Sequence, residues 1–183
     1  MLKPQAGVRC SATLQRPAQP KNASWRFLVL PKTASAQLPT RGMVTVDGTL
    51  NGAPFVATLS PDGEGSHWLK VEKTLRVAAG VEAGEMVDLE LAPVAQEPEP
   101  KLPLDLKQAL AANAAAKATW KDITAIARRD WIHWITSGKK AETRVKRIDV
   151  AIDKLACGNR RACCFDRSGM YSMGGMGAPR AAD

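Results

Sequence analysis

Met43-Val44-Thr45-Val46-Asp47-Gly48-Thr49-Leu50, then Asn51-Gly52, then Ala53-Pro54-Phe55-Val56-Ala57-Thr58-Leu59 is the stretch from which the fold of the first half is read. Both arms alternate, with the period of a strand that turns one face to a core. Asn-Gly between them is the preferred two-residue hairpin turn, because both central residues take positive φ. A β-hairpin over 43–59 follows.

Outward from the hairpin the signals are again those of short strands. Cys10–Gln15 alternates weakly, and Trp25–Leu30 (WRFLVL) reads as a buried strand ended by Pro31. On the other side Pro61-Asp62-Gly63-Glu64-Gly65 is a turn, His67–Val71 a strand and Met86–Leu91 the last strand. One short helical turn fits Lys32–Leu38 and a short helix Lys73–Val77, and residues 1–9 read as a loose arm. Six short strands between turn signals predict a small barrel or sandwich over 10–93.

Val94–Pro103, VAQEPEPKLP, is a Pro- and Glu-rich linker, stiff enough to act as a spacer. Beyond it the period becomes helical. Asp105–Ala112 puts Leu106 and Leu110 on one face, and Asn113 is placed to cap Ala114–Trp120. Thr124 can cap the next helix, which carries Ala127, Trp131, Trp134 and Ile135 on its buried side and stops at Gly138. A last helix, about 141–156, sets Val145, Ile148, Ile152 and Leu155 in a narrow apolar seam. The reading is an α+β chain of two domains, with a helical module over 104–158 and a mobile tail over 159–183.

Charge divides along the same line. Residues 1–100 carry ten Lys/Arg and ten Asp/Glu, whereas residues 101–183 carry sixteen against eight, so the second half supplies the whole +8. A basic half beside a neutral half points to an anionic partner, against the plain alternative of a solvated basic surface. The candidate anion-binding residues are Arg128, Arg129, Lys139, Lys140, Arg144 and Arg147, on two basic helices joined near Gly138. Arginine there would grip phosphate or carboxylate with two parallel hydrogen bonds. The competing reading pairs Arg128 and Arg144 internally with Asp130, Glu142 or Asp149. Trp131 and Trp134 read as core, and His133, lying between them, as pointing to solvent.

Other chemistry finds little support. No apolar run approaches the roughly 18–20 residues of a membrane span, and the N-terminal segment shows no secretory h-region. Cys10, Cys157, Cys163 and Cys164 form no disulfide framework, which suits a reduced cytoplasmic setting. Arginines 160, 161 and 167 could lower a neighbouring thiol pKa, making Cys163 and Cys164 candidate reactive thiols. His67 and His133 have no partners at metal-ligand spacing, so neither a metal nor a cofactor is expected. G-x-S-x-G, Walker A, G-x-G-x-x-G and H-E-x-x-H motifs are all missing, which argues against an enzyme.

The segments FLVLPKTASAQLPTRGMVTVDGTLNGAPFVATLSPDGEGSHWLKV, LRVAAGVEAGEMVDLEL, RRDWIHWI, AETRVKRI and RRACCFDRSG resemble the bacterial YdeI/OmpD-associated (bacteriocin-protection) family, preceded by a small-barrel domain of unknown function. The resemblance covers about residues 10–170. It implies a double-split β-barrel, an architecture shared with AbrB-type DNA-binding proteins, followed by a small helical module. It also implies a role in resistance to bacteriocins or cationic peptides, and it carries over no catalytic residues. Fold likeness alone does not fix function. The expectation is a cytoplasmic bacterial protein that binds an anionic partner: an acidic protein, an envelope polymer precursor or a nucleic acid. A nucleic-acid binder and an enzyme with a pocket at the barrel mouth near His67 are the rivals.

Overall fold

The computed structural model describes residues 7–138, 140–162 and 177–182. It divides into two compact units, one carrying the strands and the other beginning at Gln96 and carrying most of the helices.

The first unit contains β1 (Val8–Thr13), β2 (Arg26–Val29), α1 (Lys32–Ser35), β3 (Val44–Leu50), β4 (Ala53–Pro61), β5 (His67–Val71), α2 (Lys73–Ala79) and β6 (Met86–Pro93). The hairpin turn is as the sequence requires: Asn51 and Gly52 take φ of 47° and 83°, and Leu50 pairs with Ala53. The strands run antiparallel in the order β1-β6-β3-β4-β5-β2. Just past β1, Gln15 and Phe27 exchange backbone hydrogen bonds of 2.7 and 3.0 Å. That bridge brings the two ends of the sheet together into a nearly closed barrel. Val8, Ala12, Leu14, Leu28, Val46, Leu50, Leu59, Leu69, Leu89 and Leu91 fill it, every strand contributing.

Gly48 lies where β3 is flanked by β4 and β6, opposite Phe55 and Leu91. A Cβ at this glycine would stand 2.1 Å from the Glu90 carbonyl oxygen, so only hydrogen fits.

The second unit contains α3 (Leu104–Ala112), α4 (Ala114–Asp122), α5 (Ala125–Thr136) and α6 (Ala141–Ala156). Asn113 Oδ1 accepts from Ala116 N and Thr124 Oγ1 from Ala127 N, so both predicted caps form. Leu106, Leu110, Trp120, Trp131, Ile135, Ile148 and Leu155 make a core separate from that of the barrel. The α6 seam differs from the expected one. Val145 is 58% exposed, and the inward stripe is Ile148, Ala151 and Leu155. Arg144 begins that stripe at a spacing of four, and its side chain turns to Asp105 of α3.

The tail expectation also needs correcting at its far end. Ala18 N donates to Arg180 O, Ala182 N to Arg16 O and Ala178 N to Asp62 O, so 177–182 are bonded to the barrel. Backbone pairing holds them, which a glycine-rich composition does not reveal.

Candidate anion-binding site

The expected arginines are present on α5 and α6, and each is already engaged. Arg128 Nε and Nη2 donate to the two carboxylate oxygens of Glu99, both at 2.7 Å. Its Nη1 donates to the carbonyls of Trp120 at 3.2 Å and Ile123 at 2.5 Å. Arg129 holds Asp130 at 2.9 Å and Glu97 at 3.0 Å. Arg144 grips Asp105 with bonds of 2.6 and 3.1 Å. This contact raises the Arg144 pKa and holds the Asp105 carboxyl below its ordinary value, the hydrogen bond being the main cause of both.

Arg147 does different work. Its Nη1 donates to Trp134 O at 2.5 Å and Ser137 Oγ at 2.7 Å, which places a cation at the C-terminal end of α5. The guanidinium also lies over the Trp134 ring, 5.4 Å from its centre. Trp134 in turn meets Trp131 edge to face at 6.0 Å. The stack ties α6 to α5.

The internal-pairing reading thus had the right kind of interaction and the wrong partners. Arg128 takes Glu99 and Arg144 takes Asp105, while Asp130 belongs to Arg129. Glu97 and Glu99 come from the Pro/Glu-rich stretch, which is pinned to α5 and does not stand free as a spacer. Helical periodicity shows which residues share a face, but not which extended segment lies across it. The pairs of Glu97 and Glu99 were therefore missed, although two acids in a Pro-rich stretch near a basic module were the available signal.

Among the described residues the exposed Lys107, Lys117, Lys121, Lys140 and Lys146 enter no ion pair, whereas Arg160 pairs with Asp122. Lys139, Cys163 and Cys164 lie outside the described residues. Of the described cysteines, Cys10 is half-buried, with burial raising its thiol pKa, and Cys157 is exposed.

His133 does not point to solvent. It is half-buried, and burial, with the charge of Arg129 added, pushes its pKa down to about 4. Between about pH 4 and 6.5 the unfolded chain binds a proton at this position that the folded chain refuses. Stability must therefore fall as pH drops through that window, by on the order of 2–3 kcal/mol. Urea titrations at pH 7 and pH 4.5 should show a loss for the parent that His133→Gln reduces; equal losses in both would remove His133 as the cause.

His67 is not at a barrel mouth. It is 2% exposed, with Nε2 at 2.8 Å from Gly42 O and Nδ1 at 2.7 Å from Ser35 Oγ. A carbonyl only accepts, so Nε2 carries the proton and the Ser35 hydroxyl donates to Nδ1. Both ring nitrogens are spent joining α1 and the 40–42 loop to β5. Among the described residues no three His, Cys, Asp or Glu side chains gather as a metal site, and no helix is long and apolar enough to cross a membrane.

Residues 99–158 match the family described as bacteriocin-protection, YdeI or OmpD-associated, and residues 11–91 match a domain of unknown function, DUF1905. The chain carries a YdeI/OmpD-associated module behind a DUF1905 domain. Its DUF1905 segment coincides with the barrel, and its YdeI/OmpD-associated segment opens at Glu99, so the Glu99–Arg128 pair lies wholly within the family's module. No curated protein matches the chain.

Proposed function

We propose that this chain is a non-enzymatic cytoplasmic binding protein of bacteria, whose helical module docks an anionic partner in protection against bacteriocins or related peptides. The family description supports the protection setting. The observation that carries the anionic partner is the division of labour among the module's cations. Arg128, Arg129, Arg144 and Arg160 are matched to Glu99, Glu97 with Asp130, Asp105 and Asp122, whereas the exposed lysines 107, 117, 121, 140 and 146 enter no ion pair among the described residues. Lysine ammonium groups on flexible stems suit a polyanion met through many loose contacts.

The test is binding of the full chain to random-sequence duplex DNA, to RNA and to polyglutamate, each at low and moderate salt. Binding in the micromolar range that weakens steeply with salt is expected for at least one polyanion, and Lys→Gln at positions 107, 117, 121, 140 and 146 should weaken it at least tenfold. Absence of binding to all three at low salt would overturn the reading. Which polyanion binds best separates a nucleic-acid partner from an acidic protein.

A further inference from the structure

Residues 96–103 lie beside α5 in an arrangement that ordinary chain packing does not require. Glu97 and Glu99 each precede a proline, Pro98 and Pro100, which biases both towards extended backbone. They engage the consecutive arginines 129 and 128. The Arg128–Glu99 contact is the two-bond fork that guanidinium makes with carboxylate. The segment is held at its two ends, where the Glu97 side chain is 10% exposed and Leu102 packs against the helical core, and its centre is open. Residues 98–102 make no backbone hydrogen bond among the described residues, Pro98 and Lys101 are exposed, and the Glu99 side chain is 62% exposed. The acceptor surface, by contrast, is firmly built: Arg128 is fixed by the Trp120 and Ile123 carbonyls, which orient its guanidinium whether or not Glu99 is present.

A pair of cations holding an extended acidic segment chiefly through its side chains has the form of a receptor with its ligand in place. We infer that the Arg128–Arg129 surface of α5 is a docking site for an extended acidic peptide, filled in this chain by its own Glu97-Pro98-Glu99-Pro100. The occupant from outside would be a segment with two carboxylates two residues apart and prolines that keep it extended. Tethering gives the internal segment an effective concentration of the order of millimolar, so it masks the site against a weak competitor. An outside peptide then binds with its affinity reduced by the fraction of time the site is open. The site is separate from the lysine surface, and its test does not depend on that surface.

The probe is a fluorescein-labelled peptide copying residues 94–103, VAQEPEPKLP, followed by anisotropy at low salt with the full chain. Glu97→Gln with Glu99→Gln should bind it at least tenfold more tightly than the parent protein. The same peptide carrying Gln at both acidic positions should not bind, and adding Arg128→Ala to the doubly substituted protein should abolish the gain. The five-lysine variant should mask the peptide as the parent does, whatever its affinity for polyanions. Should the double substitution cost the protein its helical circular dichroism, Glu99→Gln alone is read instead, with a gain of at least threefold expected. A folded variant that binds the peptide no more tightly than the parent, or that binds the Gln peptide equally well, would overturn the inference.

Discussion

Gly48→Val is expected to prevent the barrel from forming. The glycine faces β6 so closely that a Cβ would overlap the Glu90 carbonyl at 2.1 Å, and the obstacle is backbone, which cannot rotate aside. β3 would have to leave β6 along the register Val46–Leu50 against Leu89–Pro93, breaking the sheet at its centre. Overpacking of a flexible core costs about 1–3 kcal/mol, and a clash with fixed backbone costs more than that. Gly48→Ala already carries the offending atom. A thermal melt of the alanine variant within about 5 °C of the parent would show that the strands can separate cheaply and would refute the account.

Trp131→Ala should have the other large effect, confined to the second unit. Trp131 is 1% exposed, meets Trp134 edge to face and belongs to a core that shares no residue with the barrel. Truncating a buried tryptophan costs about 3–5 kcal/mol. A module of this size holds only about 3–9 kcal/mol in total. The expected result is early loss of helical circular dichroism in urea, with the strand signal lost later at the parent's midpoint. A single transition at the parent's midpoint would show that Trp131 is not central to the core. Replacing Arg144 and Arg147 with alanine would likewise loosen the module, because one clamps α3 and the other closes α5. That pair of substitutions therefore cannot be used to read ligand binding alone.

Signals acting over a few residues could be read from the chain, and signals acting across it could not. Asn51-Gly52 fixes a turn by backbone preference, and Asn113 and Thr124 start helices through oxygens that reach amides three residues on. His67–Val71 is a strand with the predicted bounds. The closure of the barrel depends on Gln15 meeting Phe27, which no local pattern announces. The arginines illustrate the same limit at the candidate site. Their positions on α5 and α6 follow from periodicity, but Arg128 finds Glu99 at a separation of 29 residues and Arg144 finds Asp105 at 39. His133 was misplaced for a related reason: a helical wheel gives the direction of a side chain and not what covers it.

The pairing of residues 177–182 with the barrel sets an order of events during synthesis. The strands are complete once Pro93 has been made, yet the amides of Ala18 and Ala182 and the carbonyls of Arg16 and Arg180 cannot meet until the helical module has also left the ribosome. Until then the β1–β2 connection, next to the seam where Gln15 meets Phe27, stands without the segment that pairs with it. The nascent barrel is therefore fastened last beside the bridge that closes its sheet.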